Sequence, residues 1–265
     1  MYNFHTHTKF SDGKNTVEEL ILYAIEKGFR GIGFSDHGYT AYDLRYCMKD
    51  EDGYIAEVKR LKEKYKKEIA VHLGVEEDSR SRVVREKFEY IIGSCHYIQV
   101  GDVLCPVDSN YDYFQKALAL CNGDELTFAE LYYEHFCAYI QSRKPDLIGH
   151  FDLLTKFDEQ EQTIFFNNEK YWEIAEKYTL EALKANCIFE VNTGLMARGY
   201  RTLPCPHTRL LAFIAKHNGK ITLSSDTHQM ITLGYAFADM QSVLRDIGFD
   251  GAYILKNGDW TKEPF

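Results

Sequence analysis

The sequence predicts an α/β barrel, and three observations support this fold class. Short apolar segments alternate with helical patterns along the chain, the order typical of right-handed βαβ units and a parallel sheet. A histidine or carboxylate residue follows nearly every apolar segment, and a barrel brings the ends of all its strands to one rim. A doubly wound sheet, the alternative, would collect ligands only at its switch point. The 265 residues, with no repeat or linker, fit a single domain over 1–265.

The composition is that of an ordinary globular protein, and its charge excludes some partners. Apolar residues make up 45% of the chain and charged residues 27%, with a formal net charge of −9. This acidic balance argues against a nucleic-acid-binding protein. It is compatible with a small phosphate ligand, because bound metal ions can invert the local field.

The cysteines and the apolar segments bear on the cellular compartment. The seven cysteines are scattered and form no Cys-x-x-Cys pair, which favours free thiols in a reducing cytoplasm over a disulfide framework. The sequence lacks a signal-peptide pattern. It also lacks an apolar run near the ~18 residues of a membrane span. We therefore expect a cytoplasmic protein with no membrane contact.

Hydrophobic periodicity places the individual elements. A capping box, Thr16 to Glu19, begins the first helix, and Gly28 is placed to end it. We predict strands over 2–4, 31–34, 69–75, 90–94, 147–149, 188–191 and 220–225, and a further short strand over 252–255. Further helices are predicted over 55–67, 113–120, 127–142, 168–186, 206–217 and 233–247. The pattern over 97–126 is irregular and indicates a long insertion that contains the helix 113–120.

Potential metal ligands share one topological position, at or just after the carboxyl ends of the predicted strands. His5 and His7 can point to the same side, because residues two apart on a strand share a face. Each residue alone is more often a structural histidine or a capping carboxylate. The whole set lies at strand ends: His5, His7, Asp12, Asp36, His37, Glu76, His96, His150, Asp152, Asp226 and His228. Imidazole and carboxylate ligands without cysteine suit several divalent ions, held in a cluster with bridging carboxylates.

Basic residues on the same rim are candidates for phosphate binding. Arg198 and His207 lie in or next to the loop after the strand 188–191, and a guanidinium fork fits phosphate oxygens. For Arg198, phosphate binding and a plain surface position are about equally supported. For Arg201 and Lys156 the sequence favours the surface.

Six motifs together resemble the PHP superfamily, the polymerase and histidinol phosphatase superfamily. They run in order from residue 3 to 228: His-x-His-Thr-x-x-Ser-Asp-Gly at 5–13, Ser-Asp-His at 35–37, Gly-x-Glu at 74–76, Gly-Ser-x-His at 93–96, Gly-His-x-Asp at 149–152 and Ser-Asp-x-His at 225–228. The length, the single domain and the stretch Glu-Val-Asn-Thr-Gly at 190–194 resemble its histidinol-phosphatase branch.

The resemblance implies a distorted TIM-like barrel, built on seven parallel strands, with a trinuclear metal site. It implies these ligands for the three ions in turn: His5, His7, Glu76 and Asp226; Glu76, which bridges, with His96 and His150; and Asp12, His37 and His228. The metals of the family are zinc, iron or manganese. Some relatives have histidine at the position of Asp12, which bears on the metal preference of the third site.

The resemblance also implies hydrolysis of L-histidinol phosphate to L-histidinol and phosphate, a step of histidine biosynthesis. We expect Arg198 and His207 to bind the substrate, and His37 or His207 to supply a proton to the leaving group. Two alternatives stay open: a phosphoesterase for another small ester, such as a nucleotide, sugar phosphate or phosphotyrosine, and a non-catalytic metal or phosphate sensor. The acidic balance disfavours an exonuclease, and the oligomeric state is not predicted.

Overall fold

A sheet of seven parallel strands forms the centre of the molecule. The computed structural model describes residues 1–161 and 164–265. The strands lie in the order β1 (Tyr2–Asn3), β2 (Gly31–Phe34), β3 (Ala70–Asp78), β4 (Tyr90–Ser94), β7 (Leu147–Ile148), β8 (Ile188–Asn192) and β9 (Lys220–Ser224). Beyond the two edge strands, Thr6 pairs with Thr227 in a parallel bridge. The sheet thus closes into a nearly complete barrel, and the predicted distorted TIM-like fold is confirmed.

Helices connect the parallel strands, as the alternating pattern predicts. They are α1 (Val17–Glu26), α2 (Glu51–Tyr65), α3 (Tyr111–Leu120), α4 (Glu125–Arg143), α5 (Glu169–Leu183), α6 (Gly194–Ala197), α7 (Thr208–Lys216) and α8 (Phe237–Ile247). The capping box at Thr16 and Glu19 is present. Helix α2 begins four residues before the predicted start, because the side chain of Asp50 accepts a hydrogen bond from the Gly53 amide. Within the described residues, no helix is both long and apolar enough to span a membrane.

Two antiparallel hairpins differ from the prediction. Strands β5 (Tyr97–Val100) and β6 (Val103–Pro106) form a hairpin in the segment 97–126, for which the sequence pattern predicts an irregular insertion with one helix. Strands β10 (Gly251–Lys256) and β11 (Asp259–Pro264) form a second hairpin, of which only the first strand is predicted. Its two-residue turn is Asn257-Gly258, with φ of 54° and 88°. An Asn-Gly pair is the strongest short-range hairpin signal, so this strand was detectable from the sequence.

The second hairpin closes the amino-terminal end of the barrel. The Trp260 ring lies 5.0 Å from the Phe4 ring and 6.0 Å from the Tyr90 ring. Tyr90, Leu147 and Ile188 begin their strands and belong to the same buried cluster. Apolar packing fills this end, so the carboxyl ends of the strands are left to form the functional rim.

Candidate functional site

The structure brings the predicted metal ligands together at the carboxyl ends of the strands. Glu76 lies near the end of β3, and the other ligands follow β1, β2, β4, β7 and β9. His5, His7, Glu76 and His150 are buried, and Asp12 is half-buried at the mouth. Nine of the predicted residues thus lie together in the structure, although they come from segments up to 223 residues apart: His5, His7, Asp12, His37, Glu76, His96, His150, Asp226 and His228.

Glu76 is the centre of the cluster. Its Oε2 lies 3.2 Å from His5 Nε2 and 2.9 Å from His37 Nδ1. Its Oε1 lies 3.0 Å from His150 Nε2 and 3.5 Å from His96 Nε2. His7 Nε2 also lies 3.5 Å from Oε2. One oxygen of this buried carboxylate thus faces three imidazoles and the other faces two, the arrangement of a carboxylate that bridges two cations.

Two aspartates extend the cluster beyond Glu76. Asp226 Oδ1 lies 3.2 Å from His7 Nε2 and 3.7 Å from His5 Nε2. Asp12 Oδ1 lies 3.3 Å from His228 Nε2 and 3.8 Å from His37 Nε2. His228 Nδ1 also lies 3.4 Å from Asp226 Oδ1, and His7 Nδ1 lies 4.0 Å from Asp12 Oδ1. Each aspartate therefore faces three imidazoles, as a ligand to a shared cation would.

Four subsets have ligand atoms mutually within 4.8 Å. They are His7, Asp12, His37 and His228; His5, His150 and Asp226; His5, His7 and Glu76; and His37, Glu76 and His96. The first subset contains Asp12, His37 and His228, which the family resemblance implies as ligands of the third ion. For the second ion the resemblance implies Glu76, His96 and His150, whereas the structure groups Glu76 and His96 with His37.

The unpartnered atoms of these side chains test whether metal ions fit. His5 Nε2, both ring nitrogens of His7, His150 Nδ1 and Glu76 Oε2 are buried without a hydrogen-bond partner. Leaving such atoms unpaired costs about 1–3 kcal/mol each. A cation between them would satisfy several lone pairs at once. The mixed imidazole and carboxylate donors suit borderline or hard divalent ions, so the residues fit a metal centre.

Electrostatics keep several of these groups in the form that binds metal. Burial lowers the pKa of His7 to about 3, aided by His228 and His37. For Glu76, burial opposes ionisation, but His37, His5 and His96 outweigh it and hold the pKa well below its usual value. His7 is therefore neutral and Glu76 ionised at neutral pH, as metal ligands must be.

Metal uptake should release protons and strengthen as the pH rises. Burial opposes charge on His96, but Glu76 and Asp78 raise its pKa to about 10. The pKa of His5 is also raised, because Glu190 and Glu76 outweigh burial. Below these pKa values the imidazoles hold protons that a metal must displace. Zinc titration calorimetry of metal-free protein, in neutral buffers of differing ionisation enthalpy, should show proton release; uptake without release would contradict this expectation.

Two aspartates of the predicted set organise loops instead of facing the cluster. Asp36 accepts hydrogen bonds from the backbone and side chains of Thr8 and Ser11, and so fixes the loop that carries Asp12. Asp152 accepts from the His207 amide at 2.8 Å and lies 3.4 Å from Arg201 Nη1. Neither aspartate belongs to a ligand group among the described residues.

A cavity of about 540 Å³ opens over the cluster. Its floor includes Glu76, His96, His150 and Asp226. Cationic and anionic side chains form its walls: Lys14, Arg45, Lys156, Arg198, Asp43 and Asp108. The site can therefore hold a small molecule that carries both negative and positive groups.

Arg198 and Lys156 both line this cavity. Arg198 donates to Asp226 Oδ2 at 3.0 Å and to the Asp226 carbonyl at 3.1 Å. Lys156 is buried, lies 4.5 Å from the Tyr200 ring centre and donates to the Asp108 carbonyl. The surface position favoured for Lys156 is therefore wrong: aromatic packing and a carbonyl partner hold the ammonium inside the rim.

Arg201 and His207 lie elsewhere. The surface position favoured for Arg201 is wrong, because its side chain is fully buried beside Asp152 and Thr155. His207 caps α7, where Nδ1 accepts from the Arg209 amide at 3.0 Å, and its ring packs against Phe166 and Trp172. His207 is not among the cavity-lining residues of the described chain, so this placement does not favour its predicted substrate contact or proton transfer.

The barrel and its rim of imidazoles and carboxylates define a metal-binding protein of the α/β class. The model of the PHP domain family matches residues 3–194. The chain belongs to the PHP family.

Two known relatives and a solved structure resemble most of the chain. A Schizosaccharomyces pombe protein, named a probable histidinol-phosphatase, is 28% identical over 91% of this chain and 84% of its own length. The histidinol-phosphatase of Bacillus subtilis is 22% identical over 88% of this chain and 95% of its own. The fold resembles that of Lactococcus lactis histidinol phosphate phosphatase, solved with zinc, L-histidinol and phosphate. Its TM-score is 0.75 at 19% identity, over 98% of both chains.

Proposed function

We propose that this protein is a metal-dependent histidinol-phosphatase, which hydrolyses L-histidinol phosphate to L-histidinol and phosphate. The observation that carries the proposal is the Glu76-centred ligand cluster on the floor of a cavity with both cationic and anionic walls. The names of the relatives and the ligands of the Lactococcus lactis enzyme support the choice of substrate. All seven cysteines are free and buried, which fits the cytoplasm as the place of action.

The ligand cluster would hold three divalent ions, of zinc, iron or manganese. We assign them these side chains, for the three ions in turn: His5, His7, Glu76 and Asp226; Glu76, His96 and His150; and Asp12, His37 and His228. When bound, such ions lower the pKa of water to about 7 and neutralise charge on phosphoryl oxygens.

The cavity walls would bind the two ends of the substrate. Arg198 and Lys156 present a guanidinium and an ammonium to phosphate oxygens that the ions leave free. Asp43 and Asp108 line the same space with their carboxylates. Arg45 lowers the pKa of Asp43. Burial opposes ionisation of Asp108, but Lys156 outweighs it and lowers the pKa. These charged carboxylates would attract the amine and the imidazole of histidinol.

Departure of the alcohol requires a proton. Of the two histidines predicted for this role, His37 lines the cavity, with Nδ1 2.9 Å from Glu76 and Nε2 3.8 Å from Asp12. One ring nitrogen of a histidine can bind a metal while the other keeps a proton. His37 can therefore supply this proton only from the nitrogen that binds no metal, and we give His207 no part in the reaction.

A substrate panel tests the proposal. Protein reconstituted with Zn²⁺ or Mn²⁺ should hydrolyse histidinol phosphate with a higher kcat/KM than a nucleotide, a sugar phosphate or phosphotyrosine, and treatment with a chelator should abolish turnover. Metal content is measured on the same samples. Faster turnover of another ester would replace the substrate but keep the phosphatase; metal binding without turnover of any ester would favour a sensor.

A further inference from the structure

Glu190 is a buried carboxylate that the sequence motifs did not select as a site residue. It lies on β8, and four hydrogen-bond donors converge on it. Its Oε1 lies 2.5 Å from His5 Nδ1 and also accepts from the Ser224 hydroxyl. Its Oε2 accepts from the His150 amide at 2.9 Å and from Asn192 Nδ2 at 3.0 Å.

The donors fix which nitrogen of His5 carries its proton. An ionised carboxylate only accepts hydrogen bonds, so His5 Nδ1 must donate to Glu190. In neutral His5 the lone pair is then on Nε2, the buried atom that faces Glu76 and Asp226 and has no hydrogen-bond partner. A hydrogen bond of this kind behind a metal-binding histidine sets both its tautomer and its orientation.

The same carboxylate also holds a second ligand segment. Through the His150 amide, Glu190 fixes the backbone from which that imidazole reaches Glu76 Oε1. Asp78 supports His96 in a comparable way, with its Oδ2 2.9 Å from the His96 amide and 3.2 Å from Nδ1. Asp78 supports one ligand residue. Glu190 supports two, His5 and His150, and these face different oxygens of Glu76.

We infer that Glu190 is a positioning residue that presents two ligand residues, His5 and His150, to the metal centre. The inference rests on the proposed metal centre but not on the identity of the substrate. In Glu190→Gln, an amide group replaces one acceptor oxygen. If the NH₂ group points to the His150 amide and Asn192 Nδ2, these donors lose their acceptor. If it points to His5 Nδ1, it donates to that nitrogen and the His5 proton moves to Nε2. Both arrangements disturb a ligand.

Metal affinity is the first readout. Zinc affinity, measured by competition with a chromophoric chelator, should fall by about 10- to 100-fold in Glu190→Gln, the usual range for such supporting groups. The d–d absorption spectrum of the Co²⁺-loaded variant should differ from that of wild type. If wild type itself binds no metal, the proposed centre fails; if wild type binds and Glu190→Gln binds equally, with an unchanged Co²⁺ spectrum, the inference about Glu190 fails.

Glu77→Gln is the matched control. Glu77 is equally buried and also accepts four hydrogen bonds, from Arg143 Nε and Nη2, Tyr139 and the Val83 amide, none of them from a metal ligand. This variant should lose thermal stability but keep the zinc affinity and Co²⁺ spectrum of wild type. An equal loss of zinc affinity in both variants would reduce Glu190 to a merely structural role and overturn the inference.

A measurement on wild type covers the case in which Glu190→Gln does not fold. Long-range ¹H–¹⁵N correlation spectra of the zinc-loaded protein report the proton position on each imidazole. His5 should be protonated at Nδ1 and metal-bound at Nε2. A His5 ring that is bare or metal-bound at Nδ1 would overturn the inference without any variant.

Discussion

Replacing Glu76 by alanine is expected to remove bound metal and activity together. The two Glu76 oxygens face five imidazoles within 3.5 Å. Without them, the histidines lose the negative charge that balances two cations. Loss of metal-ion catalysis removes several kcal/mol of transition-state stabilisation, and each 1.36 kcal/mol is about tenfold in rate. Turnover of histidinol phosphate should therefore fall by more than about a thousandfold, with metal content measured by elemental analysis on the same sample.

The neighbouring glutamate provides the control for Glu76. Glu77 follows directly on β3 but points to Arg143 and Tyr139, away from the ligand cluster. Glu77→Gln should retain the metal content and kcat of wild type. An active Glu76→Ala protein with full metal content would show that another carboxylate bridges the ions.

Arg198→Ala is expected to slow turnover without emptying the metal centre. The guanidinium lines the cavity and donates to Asp226 Oδ2, while Asp226 Oδ1 faces His5 and His7. Loss of one charged hydrogen bond to phosphate costs roughly 1.5–3 kcal/mol, which is about ten- to a hundredfold in kcat/KM. Steady-state kinetics with histidinol phosphate, together with the metal content, measures both effects.

Arg209→Ala is a suitable control for Arg198. Arg209 pairs with Glu169 and Glu176 beside α5 and does not line the cavity of the described chain. Its removal should leave kcat/KM unchanged. An unchanged kcat/KM in Arg198→Ala would remove Arg198 from phosphate binding. A loss of metal in that variant would assign its effect to the support of Asp226.

The barrel and the ligand cluster were predictable from the sequence because both depend on local patterns. Apolar periodicity locates the strands, and parallel strands bring their carboxyl ends to one rim whatever their separation in the chain. His5, Glu76 and Asp226 each lie at or near the end of such a strand. The Asn257-Gly258 turn is also a local signal, so β11, which was not predicted, could have been predicted from the sequence.

The contacts of individual buried side chains were decided only by the tertiary structure. The sequence alone gives no sign that Glu190 lies against His5, 185 residues earlier, or that Tyr200 holds Lys156 inside the rim. His207 has a charge and position suited to the site, yet packing against Phe166 and Trp172 turns its ring away. Strand patterns determine where a backbone ends, but the direction of a side chain depends on which distant surfaces must pack against it.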